Sequence, residues 1–223
     1  MSAVSGTYAV VSKDFRSEIR TRYALNALLM FVVTAVAVIL FALRTEQPST
    51  DVLSGMFWVV VFFTGMSGLS RSFVTEEERN TSLTLQLVAS TSTVYFGKLL
   101  FNLALTVSMV VAVTILYLLV FPGFVIQTLS IFVATVLLGS AGLASAATII
   151  AAIIAKANTR GTLYPVLSFP ILLVLLMTVM SATAKALDGA PFAEASGDLM
   201  VLISYFLVIT GGSWLLFDFV WKD

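Results

Sequence analysis

Residues able to do chemistry are scarce in this chain, and their scarcity narrows its role. Among 223 residues there is no Cys and no His, so disulfides, thiolate nucleophiles, Cys/His metal centres and imidazole acid–base catalysis are excluded. The Gly97-Lys98 pair lacks both the earlier Gly and the following Ser or Thr of G-x-x-x-x-G-K-[ST], so it makes no phosphate-binding loop. One run concentrates carboxylates: Glu76, Glu77 and Glu78, inside "SRSFVTEEERNTSLTLQLVASTSTVYFGK" (70–98). Thr75 followed three residues later by Glu78 has the form of a capping box, and Glu76 and Glu77 fall in the first turn, where carboxylates meet the positive end of a helix dipole. These acids start a helix and display charge. No catalytic residue and no metal ligand is assigned.

The elements that must position this run are set by composition. Hydrophobic residues make up 59% of the chain and charged residues 11%, against roughly a quarter charged in soluble domains, and the mean hydropathy is +1.04. This is an all-α integral membrane protein. A span needs about 20 mostly apolar residues, so the length fits six spans with short connections and a single transmembrane permease domain over 1–223. The spans are expected near 23–43, 52–70, 99–121, 129–155, 161–184 and 199–220, with Pro122 and Gly123 marking the turn between the third and fourth. The first apolar run is longer than a signal-peptide core and is followed by no small-x-small site, so it is expected to remain uncleaved. Pro165 and Pro170 are expected to kink the fifth span. In the fourth, Gly139, Gly142, Ser145 and Ala146 suit close helix packing. None of the six needs an ionisable group at its centre, so a proton-driven transporter has no candidate carboxylate.

Orientation follows from Lys and Arg. With six spans, Lys13, Arg16, Arg20, Arg22, Arg71, Arg79, Lys98, Lys156, Arg160 and Lys222 share one side, and only Arg44 and Lys185 lie on the other. The positive-inside rule then puts both termini and the 71–98 segment in the cytoplasm. Formal net charge is zero, and no basic face for nucleic acid is expected. Before the first span, Val11, Phe15 and Ile19 recur at i, i+4 and i+8 among charged residues, which predicts an amphipathic helix lying in the lipid interface.

Within the 70–98 segment, Leu83, Leu85 and Leu87 alternate with polar residues, the period of a strand. A lone strand at a membrane surface has no backbone partner, so a short helix is expected instead, broken at "STST" (90–93). Apolar side chains on a cytoplasmic helix need lipid or a protein groove to cover them, which suits docking on a soluble partner.

Three stretches, "GLSRSFVTEEERNTSLTLQL" (68–87), "YFGKLLFNLAL" (95–105) and "LLGSAGLASAATIIAAIIAKANTRGTLYPVLSFPILL" (137–173), resemble the CcmB family, haem exporter protein B. Members are membrane permeases of an ABC transporter system in c-type cytochrome maturation, located in the cell inner membrane. The resemblance implies a dimer or hetero-oligomer with a cytoplasmic ABC ATPase and other cytochrome c maturation subunits. It also implies that Glu76, Glu77, Glu78 and the Leu83 to Leu87 segment couple ATP-driven motion to the membrane. ATP would be bound by the partner, and haem would be cargo. Without His or Cys the chain offers only Met and Tyr as axial ligands, and no "WWD"-type motif is present. Trp58, Trp214 and Trp221 read as packing or interfacial residues. A permease for lipid, drug or polysaccharide, or a non-transporting scaffold, would share the same architecture.

Overall fold

The computed structural model describes the backbone of residues 3–21, 23–43, 48–69, 73, 76, 81–156 and 163–222, with side chains at all of these except 3, 21, 23–25, 27, 83, 156, 163–168 and 222. Among the described residues every regular element is helical. The order is α1 (Ala3–Thr21), α2 (Tyr23–Leu43), α3 (Thr50–Leu69), α4 (Ser82–Val88), α5 (Thr91–Val120), α6 (Leu129–Lys156), α7 (Leu163–Leu187) and α8 (Phe192–Lys222).

Five of these, α3, α5, α6, α7 and α8, are long and apolar enough to cross a membrane, and α2 adds a shorter described apolar stretch, Leu28–Leu43. The helices outrun the spans read from charge alone. α5 begins at Thr91 rather than 99, and α8 at Phe192 rather than 199. Hydropathy reports where the bilayer would end, whereas the backbone ladder continues as long as polar side chains find partners. Lys98 finds them in α5, and Asp198 in α8 meets Lys185 of α7 at 2.7 Å.

Polar pairs tie the helices where lipid gives no hydrophobic drive for association. Asn102 donates to Thr148 at 2.8 Å, joining α5 to α6, and the Ser145 and Thr210 hydroxyls meet at 2.8 Å, joining α6 to α8. Trp58 donates its indole N–H to Thr183 at 2.8 Å, joining α3 to α7. α6 runs through the centre. A Cβ on Gly139 would lie 2.7 Å from the Trp58 ring, and one on Gly142 would lie 2.8 Å from Leu175. Ala146 is fully buried. Pro170 lies inside α7, with Pro165 in its first turn.

One end of the bundle is closed by rings. Phe57 stacks on Phe124 at 5.4 Å and meets Tyr117 edge-on at 5.3 Å, around the turn at Pro122 and Gly123. That loop is bound to the α7–α8 turn, Gln127 and Thr128 both donating backbone N–H to the Ala186 carbonyl. Gly189 takes the left-handed φ of 77° that the α7–α8 turn requires.

α1 packs beside the start of α5, though not through the face its periodicity marks. Val10 and Asp14 are buried, while Phe15 is 36% and Ile19 59% exposed. Gly97 explains the choice, since a Cβ there would come within 2.7 Å of Val10. The missing side chain makes the hollow that admits Val10. The apolar stripe stays outside and is lengthened by the exposed Val4 and Tyr8. Phe15 turns back, its ring edge-on to Phe101 at 5.2 Å, and Val11 is half-buried.

Candidate functional site

The charge-rich segment begins after α3 and returns through α4, on the opposite end of the bundle from Pro122. Its backbone is helical over Ser82–Val88, as backbone pairing requires for an isolated segment in this setting. The "STST" break is real and has a mechanism. Ala89 closes α4 by donating to the Leu85 carbonyl at 3.0 Å, and Ser90 caps α5 by accepting from the Thr93 N–H at 3.4 Å.

Of the three consecutive carboxylates, Glu76 is described, and it points inward. It is buried, with Lys98 Nζ 3.0 Å from Oε1 and Lys13 bound to the same oxygen. Thr81 donates its hydroxyl to Oε2 at 2.7 Å. Lys98, itself buried, also meets Asp14 at 3.0 Å. Four charges of balanced sign thus join α1, α5 and the segment leading into α4. Glu77, Glu78 and the Thr75–Glu78 capping pair lie outside the described residues.

Electrostatics keep Glu76 ionised despite its surroundings. Burial alone would raise its pKa, but the Lys98 charge and the bonds from Lys13, Thr81 and Lys98 outweigh burial and lower it from 4.5 to about 2. The folded value is below the unfolded one, so this contribution is complete above pH 4.5 and is lost as pH falls from 4.5 towards about 2. A shift of that size corresponds to about 3 kcal/mol. Acid unfolding of the purified protein is therefore expected to steepen between pH 4.5 and 2, and Glu76→Gln is expected to flatten that limb. A tryptophan-fluorescence titration of both proteins gives the comparison.

An aromatic cluster flanks the charges. Phe73 packs 5.6 Å from both Phe217 and Trp221, with Lys98 Nζ 5.5 Å from its ring centroid. Phe217 and Trp221 stack at 5.7 Å, and Tyr95 joins at 5.2 Å. Gln86 in α4 donates to the Trp221 carbonyl at 2.5 Å, tying α4 to the end of α8. Trp214, half-exposed, donates to Ser92 at 3.1 Å.

The Leu residues separate in space. Leu85 packs partly buried against the core, whereas Leu87 is 89% exposed and the neighbouring Val88 76% exposed. Leu83 lies in α4 with its side chain outside the described set. Among the described residues, the free large apolar side chains of the segment from Glu76 through α4 are Leu87 and Val88. Helix geometry accounts for this, because residues two apart fall on opposite faces.

Asp14, Lys13, Phe73 and Gln86 escaped the sequence reading. Asp14 and Lys13 look like ordinary solvated charges on an amphipathic helix. A Lys following Gly at the head of a long apolar run was the available signal for Lys98, and it fits a mere topological marker equally well.

No curated protein matches this sequence. The family model described as CcmB protein matches residues 6–214, a stretch that takes in α1 from Gly6, the buried charge cluster, α4 and the spanning helices up to Trp214. The chain belongs to the CcmB family of membrane permeases of cytochrome c maturation.

Proposed function

We propose that this chain is the permease subunit of an ABC system that delivers haem for c-type cytochrome assembly, driven by a separate cytoplasmic ATPase that docks on α4. The observation that carries the docking is the Leu87 and Val88 pair, exposed on a short helix outside the spanning helices and tethered to α1, α5 and α8. Apolar side chains so placed need a groove to cover them. ATP is bound by the partner. Haem is cargo, and a pair of strong axial ligands must come from another subunit, since this chain has neither His nor Cys. The working unit is a dimer or hetero-oligomer in the cell inner membrane with other maturation subunits.

Deleting the gene is expected to abolish covalent haem attachment to c-type cytochromes while sparing b-type cytochromes, read by haem staining and difference spectra. Normal c-type cytochromes in a strain with no second copy would refute the role.

The accompanying topology has six spans, α2 included, and both termini in the cytoplasm, because ten of the twelve Lys and Arg then share one side. A reporter fused after Lys222 is expected to read cytoplasmic and one inserted at Ala190 external. A cytoplasmic signal at Ala190 would overturn six spans.

A further inference from the structure

α1 presents three sectors, and its packing decides the sign of the polar one that stays outside. At ~100° per residue, Gly6, Val10 and Asp14 fall together, and this side meets α5. A Cβ on Gly6 would lie 2.9 Å from Thr93, Val10 sits at Gly97, and Asp14 pairs with Lys98 at 3.0 Å. Val4, Tyr8, Phe15 and Ile19 make a second, exposed sector. Ala9, Arg16 and Arg20 make the third, also exposed. The sectors are roughly a third of a turn apart.

Read along the chain, this helix is close to neutral: Lys13, Arg16 and Arg20 stand against Asp14 and Glu18. Folding takes the carboxylates off the outer face. Asp14 is buried against Lys98, and Glu18 is half-buried and already partnered. Lys13 is engaged with Glu76. Arg16 and Arg20 enter no ion pair among the described residues. Four residues apart, they share one face. α1 therefore shows the outside an apolar stripe beside two uncompensated guanidinium groups.

Depth indicates what meets that surface. α1 ends at Thr21 and the apolar α2 starts at Tyr23. Phe15, at the edge of the stripe, meets Phe101, three residues along α5 from Lys98 and within its charge-free run. The stripe is thus level with the first turns of a spanning helix, where acyl chains begin. We propose that α1 is a binding site for anionic phospholipid, its stripe among acyl chains and Arg16 and Arg20 on the phosphate of an acidic headgroup. Guanidinium forks match phosphate oxygens. A zwitterionic headgroup offers a phosphate too, but its own cation cancels the charge, so the pair discriminates. The site is separate from α4 and does not depend on an ATPase docking there. Because α1 supplies Lys13 and Asp14 to the buried charges, lipid bound to the seated helix also stabilises the fold by mass action.

The permease is placed in nanodiscs of phosphatidylcholine alone or in an equal mixture with phosphatidylglycerol of the same acyl chains. Competition with spin-labelled lipid is expected to show phosphatidylglycerol held more tightly, by about fivefold for each Arg, with the preference falling as salt is raised. Arg16→Gln with Arg20→Gln is expected to remove that preference and the rise in unfolding midpoint that the mixture gives the parent. Arg16→Lys with Arg20→Lys is expected to keep most of both. The native chain has no Cys, so one introduced Cys reports depth without background. A label at Tyr8→Cys is expected to collide with dissolved oxygen more than with an aqueous nickel chelate, and one at Ala9→Cys the reverse.

Equal affinity of the parent for the two lipids overturns the proposal. Full preference in the Gln variant also overturns it, since the acidic lipid then binds elsewhere on the chain. A Tyr8 label that collides mainly with the nickel chelate puts the stripe in water and does the same. If the Gln variant keeps its lipid preference but loses a co-purifying ATPase, the face belongs to a protein partner and the proposal fails. Should that variant not accumulate, the parent's lipid preference and the two label depths still decide.

Discussion

Replacing Leu87 and Val88 together by Ser is expected to strip the ATPase from the permease while leaving the permease in the membrane at parental levels. Both side chains stand almost free of the rest of the chain, so their loss removes little internal packing. Each aliphatic side chain covered by a partner is worth about 1.5–3 kcal/mol. At about 1.4 kcal/mol per tenfold, the pair weakens the complex by at least about a hundredfold. Leu85→Ser is the informative control, since Leu85 packs against the core. It is expected to lower the amount of permease rather than release the partner selectively. Co-purification in mild detergent, normalised to permease on an immunoblot, separates the two effects. Full retention of the ATPase by the Leu87/Val88 variant would return this surface to the status of a solvated loop.

Lys98→Met is expected to be the most damaging single exchange among the described charges. The side chain keeps its approximate length but leaves Glu76 and Asp14, both buried, beside an apolar neighbour with only the half-exposed Lys13 as a cation among the described residues. Removing one partner of a buried ion pair typically costs about 3–5 kcal/mol. For a chain of this length that corresponds to a fall of about 10 °C in the unfolding midpoint. Lys13→Met should cost less than about 1 kcal/mol, because the Lys13 side chain is 46% exposed and water takes over much of its role. Glu76→Gln combined with Lys98→Met should recover part of the loss, since one stranded charge is removed with its partner. Thermal unfolding in one detergent ranks the four proteins. Equal losses for Lys98→Met and Lys13→Met would show that Lys98 does not organise the cluster.

Much of the architecture was legible before any coordinates. A run such as 129–155 is apolar on every face, and only a helix satisfies its backbone away from water, so its element type and limits followed from composition. Pro122 and Gly123 turn the chain where their backbone preferences require, and Ser90, directly after the Ala89 cap of α4, caps α5. At Ser82–Val88 backbone hydrogen bonding alone favours a helix over a strand. Those are local consequences of residue type, and they survive any arrangement of the helices.

What tertiary structure decided was the partnership of the charges and the facing of the Leu residues. Lys98 could mark a membrane boundary or anchor a buried cluster, and the letters around it are the same in both cases. Its role is settled by Val10 entering the hollow at Gly97, which brings Asp14 within 3.0 Å. Glu76 belongs to an acidic run suited to solvent, yet it turns inward once two cations and a hydroxyl converge on it. Leu85 and Leu87 differ by a half-turn of helix, and which of them meets the core depends on how α4 hangs between Glu76 and Trp221. Sequence periodicity states which residues share a face, but the energy of a buried charge depends on neighbours distant in the chain, and only the packed helices supply those neighbours.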